Sequence, residues 1–86
     1  MPEISRFFGI VIAMYYEDHS PPHFHARYGS QRARIDITSL AVMTGRLSPR
    51  VRGLITEWAS EHHAELLEDW ELARSGAPLK RIEPLD

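Results

Sequence analysis

Three histidines near the middle of the first half of the chain have a spacing that could do chemistry. His19, His23 and His25 follow a His-x-x-x-His-x-His pattern, with Pro21 and Pro22 in the interval. Residues two apart on a β-strand project to the same side, so His23 and His25 could present their ring nitrogens to one ion. His19 could fold back across the proline turn as a third ligand. The spacing therefore predicts a divalent transition-metal site at His19, His23 and His25.

These histidines fall on a predicted β-hairpin. Apolar and polar residues alternate on either side of Gly29-Ser30, a pair that can form a two-residue turn. With that turn, His23 lies opposite Asp36. The next pair on the same face is then His25 with Arg34, whereas a four-residue loop would place His25 opposite Asp36. Either register puts a histidine beside the Asp36 carboxylate.

A histidine beside a carboxylate also permits acid–base chemistry without a metal. His23 and His25 would exchange protons near neutral pH, and Asp36 would orient one of the rings. Arg34 would bind a phosphate or stabilise a developing anion, with Arg27 and Arg32 nearby on the same face. This set could cleave RNA or another phosphoester.

In the metal alternative, Asp36 would be a ligand or would orient a histidine ligand. A third interpretation is that the histidines are structural and lie on a solvated face of the sheet.

Composition narrows the class of protein. The chain has 86 residues, which is enough for one domain, and it has no cysteine, which excludes disulfides and thiolate metal ligands. Its net charge of −2 argues against a general nucleic-acid binder. No apolar run approaches the roughly 20 residues that span a bilayer, and the first residues do not resemble a signal peptide. We therefore expect a cytoplasmic protein that does not enter membranes.

The order of the elements predicts an α+β domain over residues 1–86. Strands are expected in the first half and helices in the second, giving a three- to four-stranded, mostly antiparallel sheet with two C-terminal helices packed on one face. A single helix over 49–75 would be about 40 Å long, too long for a domain of this size, so we expect a break near 60–64. The predicted segments are strands Phe7–Tyr16, His23–Tyr28, Gln31–Ile37 and Leu40–Thr44, helices within 49–75, and an extended tail over 79–85.

Three blocks of sequence resemble a known family. PEISRFFG, DHSPPHFHARYG and WELARSG are similar to the bacterial domain-of-unknown-function family 4160, and the resemblance covers nearly the whole chain. The matched motif positions are His19, Pro21, Pro22, His23, Phe24, His25 and Tyr28. The family has no assigned activity. The resemblance implies a small protein often encoded beside another short protein of unknown function (family 2442), an arrangement similar to a toxin–antitoxin pair.

The sequence therefore supports three functional hypotheses. The first is a protein-interaction component of a toxin–antitoxin-like pair, whose partner is the product of an adjacent gene. The second is an enzyme that cleaves RNA or another phosphoester, using His23, His25, Asp36 and Arg34. The third is a metal-binding protein that uses His19, His23 and His25. A homodimer would be a natural way to cover the apolar segment Phe7–Tyr16 if the helices leave it exposed.

Overall fold

The computed structural model describes residues 2–16 and 18–86. Five strands form one sheet in the order β1-β2-β3-β4-β5, every neighbouring pair is antiparallel, and two helices follow. The elements are β1 Glu3–Phe7, β2 Ile10–Ala13, β3 His23–Tyr28, β4 Gln31–Asp36, β5 Val42–Arg46, α1 Pro49–Glu61 and α2 His63–Arg74. The antiparallel α+β prediction is confirmed. The expectation of three to four strands is wrong, because the sheet has five.

The additional strand is β1, which lies almost entirely before the segment Phe7–Tyr16 that was predicted as one strand, and within that segment the chain turns and then forms β2. Phe8 and Gly9 both have positive φ, at 50° and 81°. This combination is typical of two-residue turns between antiparallel strands. The chain therefore reverses after β1 and pairs β1 with β2. A phenylalanine is an uncommon residue at positive φ, so the sequence carried no strong signal for this turn.

The turn between β4 and β5 displaces the last strand from its predicted position. The Oδ1 atom of Asp36 accepts hydrogen bonds from the backbone N–H groups of Thr38 (2.7 Å) and Ser39 (2.9 Å). The N–H of Leu40 donates to the backbone oxygen of Asp36 at 2.8 Å. Leu40, at which a strand had been expected to begin, therefore lies in this Asx-type turn. As a result β5 begins at Val42 rather than at Leu40.

The two helices meet at His62. Ser48 caps α1, because its Oγ accepts a hydrogen bond from the N–H of Val51 at 3.4 Å and Pro49 occupies the first helical position. His62 has φ −118° and ψ 27°, which are not helical values, and α2 starts at the next residue. The α2 helix ends before Gly76, which has the positive φ of 75° that favours glycine there.

The helices cover one face of the sheet and form the core with it. Trp58 is fully buried, and its ring lies 5.3 Å from that of Phe7 and 6.0 Å from that of Phe24. Burying one large apolar side chain of this kind contributes about 1.5–3 kcal/mol. The C-terminal segment lies along the edge strand β1, because the N–H of Ile82 donates to the backbone oxygen of Ile4 at 2.8 Å. Within residues 2–16 and 18–86, neither helix has the length and apolar character needed to cross a membrane.

Candidate functional site

The cross-strand pairs in the β3–β4 hairpin are those expected for a two-residue turn at Gly29-Ser30. His23 is the cross-strand partner of Asp36, and His25 is the partner of Arg34. Phe24, which lies between the histidines, is fully buried in the core against the helices. The alternation of faces therefore agrees with the sequence analysis, and the register with a four-residue loop does not occur.

Asp18, His23 and His25 come together at the start of β3. The Oδ2 atom of Asp18 lies 3.2 Å from the Nε2 atom of His23 and 3.0 Å from the Nε2 atom of His25. One potential ligand atom from each of the three residues lies within 4.8 Å of the others. We call these three residues the Asp–His–His cluster. Two imidazole nitrogens and one carboxylate oxygen are donors that first-row divalent metals accept.

The hydrogen bond at Nδ1 of the His23 ring determines whether the other ring nitrogen, Nε2, carries a proton or a lone pair in the neutral ring. Nδ1 lies 2.8 Å from the backbone oxygen of Pro21. A carbonyl oxygen can only accept, so Nδ1 carries the proton and donates it. In the neutral ring, Nε2 then has a lone pair. This atom is buried, and the described residues give it no hydrogen bond of acceptable geometry, although Asp18 Oδ2 is near. The cluster therefore contains a buried nitrogen that lacks a hydrogen-bond partner within residues 2–16 and 18–86.

His25 forms the more open side of the cluster. Its Nε2–H donates to the Oδ2 atom of Asp18 at 3.0 Å, and the edge of the ring contacts Tyr15 at a centroid distance of 4.4 Å. The side chains of His25 and Asp18 are 26% and 28% exposed, whereas that of His23 is 2% exposed. A small molecule can therefore reach the cluster from the side of His25 and Asp18.

Trp70 of α2 closes the opposite side. Its ring centroid lies 5.2 Å from that of His23. The expectation that His23 would lie on a solvated face is wrong for this reason: α2 covers the end of β3, where the polar face of the hairpin begins. The two histidines consequently have different surroundings, one against an indole and the other beside solvent.

The other residues singled out from the sequence lie outside the cluster. His19 is exposed and is not one of the three residues whose ligand atoms converge. The Asp36 carboxylate caps the β4–β5 turn through Oδ1, although its backbone pairs with that of His23. Arg34 donates from Nε to the Oγ1 atom of Thr44 at 2.9 Å. Sequence reasoning missed Asp18, for which the available signal was a carboxylate in the same proline-containing loop.

An open depression adjoins the cluster and shares His25 with it. Its volume is about 290 Å³, and it lies on the side of the sheet away from the helices. Val11 and Ala13 of β2 form part of its lining, together with Tyr15 and Arg34. The site therefore combines a group of possible metal ligands with a neighbouring surface on which a ligand could rest.

Comparison with protein families gives a match to a described family. The family model described as "Domain of unknown function (DUF4160)" matches residues 9–71, which is more than half of the 86-residue chain and includes the Asp–His–His cluster. No curated protein and no solved structure matches the chain. The predicted family is confirmed over residues 9–71, a range that contains the DHSPPHFHARYG block and leaves out most of PEISRFFG and WELARSG. The chain belongs to the family described as Domain of unknown function (DUF4160).

Proposed function

We propose that the chain binds a divalent transition-metal ion through Asp18, His23 and His25. The observation that carries the proposal is the buried Nε2 atom of His23, which has no hydrogen-bond partner among the described residues and lies 3.2 Å from a carboxylate oxygen. A lone pair facing a carboxylate oxygen is repulsive unless a positive charge lies between them. A metal ion would supply that charge, and it would bond to His25 in place of the proton on Nε2, which would be released or would move to Nδ1.

The contact between His23 and Pro21 supports the metal proposal. Histidines that bind metals usually donate their other ring N–H to a backbone carbonyl or a carboxylate, which orients the ring and makes the free nitrogen more basic. The bond from Nδ1 of His23 to the Pro21 oxygen, 2.8 Å long, has this form.

The number of protein ligands suggests a site that can take part in chemistry. Structural zinc sites usually have four protein ligands, whereas catalytic ones have three and keep a position for water or substrate. The described part of the chain supplies three. A bound metal there would act as a Lewis acid and would activate a water molecule. Asp18 and His25 are partly exposed, so the ion would be reached from their side.

Metal titration of untagged protein tests the proposal. We expect one equivalent of Zn²⁺ or another first-row divalent ion to bind to chelator-treated protein and to raise its melting temperature, because an ion that binds the folded state stabilises it. His25→Ala and Asp18→Asn should each weaken binding at least about tenfold. Both side chains are partly exposed, so these variants should fold. The matched control is His19→Ala, which removes an exposed neighbouring imidazole.

Two results would contradict the proposal. One is binding of less than about a tenth of an equivalent of zinc, iron, nickel, cobalt, manganese or copper, with no change in melting temperature. The other is a loss of affinity in His19→Ala that matches the loss in His25→Ala, since the ligand set would then differ from the Asp–His–His cluster.

A further inference from the structure

A row of basic side chains crosses the sheet on the face away from the helices. Ile10 and Ile12 belong to the core between sheet and helices, so Val11, which lies between them, projects to the other side. The cross-strand register continues that row over all five strands. Its members, in order from β1 to β5, are Arg6, Val11, Arg27, Arg32 and Arg46. Arg34 lies in the next row, beside His25.

Most of these arginines have no acidic partner among the residues that the structure describes. Arg6 is paired with Glu3 at 2.7 Å. Over residues 2–16 and 18–86, no carboxylate oxygen lies within 4 Å of a guanidinium nitrogen of the other basic residues on this face, which are Arg27, Arg32, Arg34 and Arg46. Like charges directly opposite each other in a sheet are destabilising. The chain as a whole has a net charge of −2, so this arrangement is a local concentration of positive charge.

The depression beside the Asp–His–His cluster lies among these arginines. Arg27, Arg32 and Arg34 line it, and Thr44 orients Arg34 by accepting from its Nε at 2.9 Å, which leaves the terminal N–H groups of that guanidinium free of this contact. Guanidinium groups bind phosphate oxygens with paired, charge-assisted hydrogen bonds. Phosphate is therefore the anion that this arrangement fits best.

The rest of the lining fits a flat organic group attached to that phosphate. Tyr15 provides a partly exposed aromatic ring, and the small exposed parts of Val11 and Ala13 form an apolar floor beside it. Aromatic side chains stack on nucleobases whatever the base. The volume of about 290 Å³ is near the lower limit of about 300 Å³ for small-molecule pockets, which suits one nucleotide-sized ligand rather than a long polymer.

We infer that the depression binds a phosphate monoester of nucleotide size, with its phosphate on Arg32 and Arg34 and its flat group against Tyr15 and Val11. His25 lines both this depression and the metal cluster, so the ligand would lie beside the proposed ion. The inference thus names a substrate class for the proposed metal site. It rests on that function for the placement of the ligand beside the ion, but the arginines can bind phosphate without a metal.

The test is calorimetric titration of chelator-treated protein with adenosine 5′-monophosphate, adenosine, inorganic phosphate and a ten-nucleotide single-stranded RNA. We expect the mononucleotide to bind with a Kd below about 1 mM, inorganic phosphate to bind more weakly, and adenosine to show no binding. The double variant Arg32→Gln/Arg34→Gln should lose at least about tenfold in affinity. The control Arg52→Gln changes charge by one unit on an exposed position of α1 and should stay within about twofold.

Thermal unfolding of the single variant Arg32→Gln gives a second, independent measurement. Arg32 lies opposite Arg27 and Arg46, so this substitution removes like-charge repulsion and the melting temperature should equal or exceed that of the wild type. A lower melting temperature would contradict the view that the charge of Arg32 is kept for binding. The inference is also overturned if adenosine binds as well as its monophosphate, if the double variant binds normally, or if the RNA binds and the mononucleotide does not. Because no metal is present in these titrations, failure of the metal proposal would leave their outcome unchanged.

Discussion

The ring of His23 lies against the indole of Trp70, at a centroid distance of 5.2 Å, and this contact joins the candidate site to α2. His23 belongs to the β3–β4 hairpin, which the sequence predicted from local alternation, whereas Trp70 comes from the second helix. The two ring planes are tilted by 51°, and His23 is 2% exposed, so the indole helps to shield this side of the Asp–His–His cluster from solvent. The position of α2 therefore shapes the surroundings of the ring that we propose as a metal ligand.

Replacing Trp70 should weaken metal binding as well as stability. Trp70→Phe keeps an aromatic ring but leaves space beside His23, and we expect it to cost about 1–3 kcal/mol and to lower metal affinity several-fold. Urea denaturation and metal titration give the two quantities. Leu67→Ala is the matched control, because Leu67 is on the same helix and is 36% exposed. An unchanged metal affinity in a destabilised Trp70→Phe protein would show that the indole has no role in the site.

Two glycines that both have positive φ should differ greatly in their tolerance of alanine. At Gly45, with φ +88°, a Cβ would overlap the carbonyl oxygen of Arg32 and lie 2.8 Å from the Cα of Ala33. At Gly29, with φ +58°, a Cβ would meet no atom within 4 Å. We expect Gly29→Ala to cost about 1–2 kcal/mol from backbone strain and Gly45→Ala to cost clearly more, because β4 and β5 must separate. The measurement is the free energy of unfolding in urea, and equal losses would contradict the close pairing of β5.

Asp69 should make the protein less stable as the pH rises. Burial raises the pKa of its carboxyl above the ordinary value, the charges of Glu68 and Glu65 act in the same direction, and the hydrogen bond from the N–H of Lys80, 2.9 Å long, acts against them. A pKa that is higher in the folded state than in the unfolded state means that the folded state binds more protons. The contribution of this group to stability is therefore lost as the pH rises from about 4 through the folded-state pKa.

Asp69→Asn removes this ionisation and keeps an oxygen that can accept from Lys80. The stability of the variant relative to the wild type, measured as the difference in free energy of unfolding in urea, should therefore increase from pH 4 to pH 8. Glu61→Gln, at an exposed position of α1, should show no such trend and serves as the control. A constant difference between Asp69→Asn and the wild type across this pH range would argue against the raised pKa.

A partner protein remains a separate proposal, which comes from the family resemblance. If the chain acts in a toxin–antitoxin-like pair, co-expression with the product of an adjacent gene should yield a complex that survives size-exclusion chromatography at micromolar concentration. His25→Ala should leave that complex intact, because the histidine belongs to the proposed metal site. Failure of the two proteins to associate at this concentration would count against the paired arrangement.

Local patterns were enough to predict the class of fold and the hairpin at its centre. Alternation on either side of Gly29-Ser30 predicted that His23 would lie opposite Asp36, and the structure has this register. Such inferences succeed because a two-residue turn and the period of a strand determine cross-strand neighbours without reference to the rest of the molecule. The start of α1 was also predicted from a local signal, because Ser48 and Pro49 are the capping residue and the first residue of that helix.

The composition of the candidate site was decided by the tertiary structure. The sequence placed three histidines near one another, but the loop brings Asp18 rather than His19 to His23 and His25. Backbone N–H groups of the β4–β5 turn hold the Asp36 carboxylate, and α2 brings Trp70 onto His23. These outcomes depend on loop conformation and on contacts between segments far apart in the chain, which side-chain periodicity does not encode. Sequence alone therefore determined the strands that carry the histidines, and packing determined which atoms face one another.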